Sequence, residues 1–93
     1  MKYVLIIHEV AAYPDWKRVF DDAAPARKAA GEISYQLLRR DSAENVVVHL
    51  SRWTSLDAAR AFFESSELVE LRRRAGVIAP EFRYLEQVEA RLL

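Results

Sequence analysis

The stretch NVVVHLSRWTSLDAAR, residues 45–60, contains the change of hydrophobic period that decides the fold. Its first half, VVVHL at residues 46–50, is rich in β-branched residues and predicts a strand that is buried on both faces. Its second half predicts a helix, because apolar residues then recur at helical spacing and Thr54 with Asp57 resembles a capping box. The stretch therefore predicts a strand that runs directly into a helix, at the centre of a sheet.

The segment before it predicts another strand and a broken helix. YVLIIHEV, residues 3–10, is a second apolar run and predicts a strand with both faces covered. Pro14 suits the first turn of the helix that follows, and Gly31 suits its end. Pro25 cannot donate a helical hydrogen bond, so we expect a kink or a new helix there.

Two more strands and a bent helical region complete the pattern. ISYQLLRR, residues 33–40, predicts a strand that forms an antiparallel hairpin with residues 46–53 across the turn formers DSAEN. The serine pair at residues 65–66 offers a second helix cap, so the helical region divides into two short helices. Residues 82–88 predict a closing strand after Pro80, with a helix as the alternative because good helix formers follow.

The order strand, helix, strand, strand, helix, strand predicts an α+β fold. It is the ferredoxin-like βαββαβ arrangement, a four-stranded antiparallel sheet covered by helices on one face. Right-handed crossovers lead us to expect the first and third strands side by side at its centre and parallel to each other. A chain of 93 residues is long enough for one core, so we expect a single domain over residues 1–93.

Composition limits the partners and the compartment. Fourteen basic and fourteen acidic side chains cancel, so we expect neither nucleic acid nor an anionic membrane as a partner. No cysteine is present, which excludes disulfides, thiolate catalysis and sulfur-ligated metals. Glu9 interrupts the first apolar run and no cleavage site follows it, so we expect a soluble cytoplasmic protein without a signal peptide.

The second face of the sheet predicts a dimer. Both alternate sets of residues on the two central strands are largely apolar, whereas a half-solvated antiparallel sheet alternates between apolar and polar. Four strands give a face of about 400 Å² in projection, and monomers rarely expose an apolar face of that size. We therefore expect a homodimer packed sheet to sheet. The alternative is a monomer whose own tail, ARLL, covers the face.

Three segments carry a resemblance to a known superfamily. They are VLIIHEVAAYPDWKRVFDDAAPARKAAG, VVVHLSRWTSLDAARAFFES and ELVELRRRAGV. They resemble the dimeric α/β-barrel superfamily and, more narrowly, its antibiotic-biosynthesis-monooxygenase-like branch. The resemblance implies two ferredoxin-like subunits that close their sheets into one barrel, with a cavity in each subunit. It is specific for fold and not for chemistry, because the superfamily includes cofactor-free oxygenases, isomerases, haem-degrading enzymes and stress-induced proteins.

His8 and His49 are the only histidines, and each lies late in a predicted central strand. Burial lowers the pKa of an imidazole and favours a neutral ring that can accept a proton. His8 is therefore a candidate catalytic base and His49 a second catalytic candidate. The alternative is a buried histidine bonded to a backbone carbonyl. Glu9 faces away from His8 in a regular strand, so we expect no metal site.

The candidate substrate-binding residues are aromatic or polar side chains near the predicted sheet. Aromatic residues at helical spacing are also explained by core packing. A planar oxygenated ligand would use such groups at a pocket edge. The candidates are Tyr13, Trp16, Tyr35, Gln36 and Trp53.

Two further patterns bear on ligands. Arg72, Arg73 and Arg74 end a predicted helix and predict a solvated face paired with nearby glutamates. The chain has only two glycines, so it contains no glycine-rich phosphate loop, and we expect no nucleotide or other cofactor.

Two functions follow from these residues and the resemblance. The first is a cofactor-independent monooxygenase or related small enzyme acting on an aromatic or quinol-like metabolite, which needs a dry apolar pocket and one base. The second is a non-catalytic dimer that binds a small apolar ligand or has a stress-related role. Haem degradation fits less well, because the second helical region contains no histidine.

Overall fold

The computed structural model describes all 93 residues. The elements in chain order are β1 (Lys2–Val10), α1 (Tyr13–Asp22), α2 (Ala24–Ala30), β2 (Glu32–Arg39), β3 (Val46–Trp53), α3 (Leu56–Phe63), α4 (Ser66–Arg74) and β4 (Val77–Glu86). The strands form one sheet in the order β2-β3-β1-β4, and every neighbouring pair is antiparallel. The predicted ferredoxin-like α+β fold is confirmed.

The expectation that the two central strands are parallel is wrong. β1 and β3 pair in opposite directions, with Leu5 opposite Leu50 and Ile6 opposite His49. The helical crossovers do join parallel strands, β1 to β2 and β3 to β4, but another strand lies between the members of each pair. Adjacent strands are therefore antiparallel throughout the sheet.

Local chemistry explains where the helices begin and end. Pro25 lies in the first turn of α2, so the first helical region is divided as predicted. Gly31 ends α2 with φ of 127°, and a Cβ there would lie 2.6 Å from Thr54 Oγ1, so the position requires glycine. Ser65 caps α4 as predicted. The cap of α3 is Ser55 and not Thr54, since Ser55 Oγ accepts a backbone N–H at 3.0 Å.

β4 begins at Val77, before Pro80, whereas the sequence predicts a strand that starts after this proline. The closing strand is confirmed over residues 82–86, and only its predicted start is wrong, because β4 is an edge strand with an irregularity. Its pairing with β1 shifts register between Ile7 and Glu9, and Ala79 adopts φ of 45° there. Edge strands and bulges tolerate proline, because the missing N–H is not needed for the ladder. The helical alternative for this segment is also wrong.

The helices cover one face of the sheet. The buried side chains on this face are Val4, Ile6, His8 and Val10 of β1 and Val47, His49, Ser51 and Trp53 of β3. The opposite face is called the open face here; Leu5, Ile7, Val48 and Leu50 form its centre, and all four are half-buried. None of the helices has the length and apolar character that a membrane crossing requires.

Candidate functional site

A cavity lies between the helix-covered face of the sheet and the helices, and its volume is about 60 Å³. Most of its walls are apolar, with the rings of Trp16, Phe20 and Phe63 among them. Its polar lining consists of His8, Arg27, His49 and Arg72. No aspartate or glutamate lines it, and no three His, Asp or Glu residues anywhere in the chain are grouped as metal ligands. The cavity is therefore apolar with cationic groups and no anionic ones.

The strand register places both histidines on the cavity side of the sheet. His8 lies opposite Val47, and His49 lies opposite Ile6. The two histidines are thus diagonal neighbours across the central pair, with Cα atoms about 7–8 Å apart. Sequence analysis predicts that His8 and His49 share a face of the sheet, but it reaches this prediction by assuming that the two strands are parallel. The antiparallel pairing gives the same result because the two positions have matching parity.

His49 is held by a buried ionic network. Its Nε2 donates to Glu32 Oε2 at 2.9 Å, and Arg27 Nε donates to Glu32 Oε1 at 2.8 Å. These side chains are at most 6% exposed. Burial raises the pKa of the Glu32 carboxyl, but the hydrogen bonds from His49 and Arg27 outweigh it and hold that pKa below its usual value. An ionised carboxylate only accepts, so a neutral His49 carries its proton on Nε2 and keeps Nδ1 as an acceptor.

A β-bulge in β2 brings Glu32 to this position. Glu32 pairs with Trp53, and Ser34 pairs with Arg52, so Ile33 is the extra residue. Regular alternation would place Ile33 towards the helices and Glu32 on the open face. The bulge exchanges them, so the Glu32 side chain is 6% exposed and Ile33 is 51% exposed. Sequence analysis missed Glu32 because the predicted strand begins at Ile33, and because a bulge interrupts the alternation that would otherwise assign Glu32 to a face.

Sequence analysis also missed Arg27. The residue is 3% exposed, its guanidinium lies 3.7 Å from the centroid of the Phe20 ring, and its Nη1 donates to the Phe20 carbonyl oxygen. In the sequence it is one of two adjacent basic residues on a short helix. Nothing in that pattern distinguishes an arginine that turns inward from one in solvent.

The predicted solvated face of the arginine run is only partly correct. Arg73 donates to Glu70 at 3.0 Å on the surface, as expected. Arg72 instead turns towards the cavity, where its Nη1 is buried without a hydrogen-bond partner. Its guanidinium carbon lies 4.8 Å from the Phe82 ring centroid. Burial lowers the pKa of Arg72, because the charged form has lost water without gaining a carboxylate.

His8 is buried in an environment without a partner for its charged form. It is 4% exposed, its ring centroid lies 5.3 Å from that of Trp16, and its Nδ1 has no hydrogen-bond partner. Burial, helped by the nearby positive charges of His49 and Arg72, lowers the pKa of His8 to about 3. The imidazole is therefore neutral at physiological pH. Its Nδ1 does not make the carbonyl bond that the structural alternative for this residue requires.

Two of the predicted substrate-binding residues lie at or beside the cavity. Trp16 lines it, and the Tyr35 ring centroid lies 5.7 Å from that of His49. Tyr13 is next to them but outside the cavity lining, with its ring 6.0 Å from Trp16. Phe20 connects Tyr35 with Trp16, because its ring centroid lies 5.1 Å from that of Tyr35 and 4.9 Å from that of Trp16.

The other two candidates lie elsewhere. Trp53 is 2% exposed in the core, where its Nε1 donates to Ser51 Oγ at 2.8 Å. Gln36 pairs with Leu50 and so lies on the open face, on the side of the sheet opposite His8. Neither residue is among those that line the cavity.

Comparisons with known proteins agree with this architecture. SnoaB, a cofactor-independent oxygenase from Streptomyces nogalater, matches with a TM-score of 0.78 at 18% identity, over 96% of this chain and 94% of that chain. A proposed antibiotic biosynthesis monooxygenase from Caulobacter crescentus CB15 gives 0.71 at 27% identity, over 95% and 90%. Another from Deinococcus radiodurans gives 0.74 at 14% identity, over 100% and 98%.

The family itself is identified from sequence. No curated protein matches the chain. The family model of antibiotic biosynthesis monooxygenases matches residues 12–74, which is more than half of the chain. The region matched contains α1 to α4, β2 and β3, and so most of the cavity. The chain therefore belongs to the antibiotic biosynthesis monooxygenase family.

Proposed function

We propose that the protein is a cofactor-independent monooxygenase that acts on an aromatic or quinol-like metabolite in the cavity between sheet and helices. Family membership supports an oxygenase, and SnoaB, which shares the fold, is a cofactor-independent oxygenase. The observation that carries the proposal is an imidazole backed by a buried carboxylate at the wall of an apolar cavity. A substrate of this class reacts with oxygen once it is an anion, so the protein supplies a base and excludes water.

His49 accepts the substrate proton in preference to His8. His49 Nε2 donates to a buried carboxylate at 2.9 Å, and this hydrogen bond is retained when Nδ1 takes the substrate proton. His8 has no such partner, and a pKa of about 3 against the ordinary 6.5 makes its protonation roughly 5 kcal/mol less favourable. His8 therefore remains neutral and orients the substrate by a hydrogen bond at Nδ1.

The reaction consumes the substrate and molecular oxygen. His49 removes the proton of a ring hydroxyl, the electron-rich anion transfers electrons to oxygen, and a carbon–oxygen bond forms at a ring carbon that carries a hydrogen. The resulting peroxide takes the proton back from His49 and becomes the hydroperoxide. His49 then removes the hydrogen of the same carbon as the O–O bond breaks, so that one oxygen atom remains as a carbonyl and the other leaves as hydroxide, which takes this proton and becomes water.

A ring substrate requires the cavity to open. The volume of about 60 Å³ is smaller than the ~150 Å³ of a cavity that holds benzene. Among the helices, α4 packs least, because it alone contains no buried residue. Val19, Ala23 and Leu71 line both the cavity and a surface groove beside α4. Outward movement of α4 along this groove admits the ring.

The second candidate function is a non-catalytic protein that binds a small ligand. The observation that favours it is the same volume of about 60 Å³, which accommodates a few water molecules and is too small for a ring. The two functions differ in one measurable property, which is the consumption of oxygen.

We also propose that residues 1–93 act as one domain within a homodimer formed through the open face. The half-buried Leu5, Ile7, Val48 and Leu50 have no helix over them, and Leu38 beside them is 49% exposed. A second copy packed on this face would remove these side chains from water without further structural change. The cytoplasmic location stays a prediction.

Oxygen uptake with a panel of quinols and hydroxynaphthalenes tests the oxygenase. We expect uptake by the wild-type protein and a loss of at least a hundredfold in His49→Phe, since general-base catalysis contributes about 10²–10⁴. Glu32→Gln should also lose activity, whereas its exposed counterpart Glu70→Gln should keep it. A folded His49→Phe protein with wild-type turnover would contradict the assignment. No uptake with any substrate would favour the non-catalytic function.

A further inference from the structure

The cavity contains a positive charge that nothing in the chain neutralises. Arg27 and Arg72 both line it, and no carboxylate does. Arg27 is compensated by Glu32 at 2.8 Å. Arg72 makes no ion pair, and its Nη1 is buried without a hydrogen bond. Arg72 as a whole is half-buried, and a guanidinium nitrogen that loses water without gaining a partner costs free energy, so an anion in the cavity would relieve that cost.

Unsatisfied nitrogen atoms surround the same space. His8 Nδ1, Arg27 Nη2 and Arg72 Nη1 are all buried without partners, and their residues all line the cavity. His8 and Arg27 are 4% and 3% exposed, so bulk water does not solvate their side chains. Buried polar atoms are nearly always hydrogen-bonded in folded proteins. Three exceptions around one cavity indicate a place for hydrogen-bond acceptors.

The walls beside these residues are aromatic, since the Trp16 ring centroid lies 5.3 Å from that of His8 and the Arg27 guanidinium carbon lies 3.7 Å from the Phe20 ring centroid. The Trp16 and Phe20 rings are stacked, with centroids 4.9 Å apart. Both rings line the cavity together with Phe63. Aromatic side chains favour aromatic ligands through stacked and edge contacts, while charged donors fix orientation at one end.

We propose that the cavity selects an aromatic ligand with an anionic oxygen group, a carboxylate or a phenolate. Arg72 bonds the anionic oxygen, His8 donates to it from Nδ1, and Trp16 with Phe20 holds the ring. The proposal rests on the proposed function only in treating this ligand as the substrate. The proposal assigns Arg72 a binding role, which the run of three arginines in the sequence does not indicate.

Paired ligands of equal size test the charge preference on the wild-type protein. Benzoate and benzamide differ in charge at nearly constant shape, so the opening of the cavity that a single ring requires is the same for both. By calorimetry we expect benzoate to bind at least tenfold more tightly, since hydrogen bonds to charged groups are the stronger ones. Equal binding of benzamide would overturn the proposal.

A second ligand separates the two sources of negative charge. 4-Nitrophenol changes colour when it ionises, so absorbance reports its charge in the cavity. Binding beside Arg72 should lower its apparent pKa. A preference for both benzoate and the nitrophenolate supports a general oxyanion site. A preference for benzoate alone identifies a carboxylate substituent, and one for the phenolate alone identifies the ionised substrate oxygen.

Variants assign the effect to Arg72. Arg72→Met should remove the preference for benzoate over benzamide, and Arg72→Lys should retain part of it because the charge remains. Arg73→Met is the matched control, because it removes the same charge from an exposed neighbour and should leave the preference unchanged. Circular dichroism establishes that each variant is folded. A folded Arg72→Met protein with the wild-type preference would overturn the assignment.

These measurements are independent of turnover. A benzoate preference without oxygen uptake from any substrate leaves the anion site in place and removes the oxygenase. Turnover of quinols with equal affinity for benzoate and benzamide leaves the oxygenase in place and removes the anion site.

Discussion

Replacing His8 with leucine should make the protein less sensitive to acid. The imidazole is buried and neutral, and its pKa is about 3 in the folded chain against 6.5 for the ordinary side chain. Between these values the unfolded chain binds a proton that the folded chain does not. Lowering the pH through this window therefore stabilises the unfolded state.

The expected magnitude follows from this difference. Each pH unit below 6.5 removes about 1.36 kcal/mol from the free energy of unfolding. Between pH 7.5 and pH 5.0 the wild-type protein should lose about 2 kcal/mol through His8 alone. His8→Leu should lack this loss. Glu32 does not interfere, because its lowered pKa contributes only as the pH falls below its unfolded value of 4.5.

Urea denaturation measures the effect through the fluorescence of the buried Trp16 and Trp53. The wild-type midpoint should fall by roughly 1–2 M between the two pH values, given an m-value of about 1–2 kcal/mol/M. Protein concentration is held constant, because the stability of a dimer depends on it. His8→Gln provides a second variant if leucine impairs folding. A parallel fall in wild type and both variants would refute a buried neutral His8.

Three further predictions concern stability and assembly. Glu32→Leu should lower the free energy of unfolding by about 3–5 kcal/mol in urea denaturation, because it leaves the Arg27 guanidinium buried without a counter-charge; a neutral substitution would show that the pair contributes nothing. Gly31→Ala should cost about 1–3 kcal/mol, because its φ is 127° and its Cβ would lie 2.6 Å from Thr54 Oγ1; an unchanged thermal midpoint would disprove this strain. Leu50→Glu should place a charge in the open face and give a monomer by sedimentation equilibrium, whereas a dimer of unchanged mass would rule out that face as the interface.

The fold was predictable because its signals are local and repeated. The apolar run containing Val46–Trp53 ends where helical spacing begins, and the hairpin and helix break follow from turn formers and Pro25. Strand direction was not predictable in the same way. A crossover joins two parallel strands, and the direction of neighbouring strands depends on whether a third strand lies between those two. Here β3 lies between β1 and β2, and the handedness of the crossover alone does not determine this. The position of β4 was misread because Pro80 is tolerated only in the context of an edge.

The candidate site was predictable only in part. The apolar neighbours of His8 and His49 indicate burial, and the structure places both side chains at the cavity. Glu32 could not be found, because strand alternation assigns it to the wrong face unless the bulge is known. Arg72 could not be found either. A helical arginine run has the same pattern whether or not one member turns inward, and only the packing of α4 on the sheet decides it.

The extra residue at Ile33 has a consequence for how relatives of this chain are compared. Suppose that another family member has the same residues in β2 but accommodates no insertion there. Its glutamate would point to the open face, an aliphatic side chain would take its place beside the imidazole, and the histidine at the position of His49 would lack its carboxylate partner. A gapless alignment of that relative with this chain would therefore pair two glutamates that lie on opposite faces of the sheet. The number of residues between Gly31 and Ser34, where regular pairing of β2 with β3 begins, is more informative, because it shows whether the bulge is present.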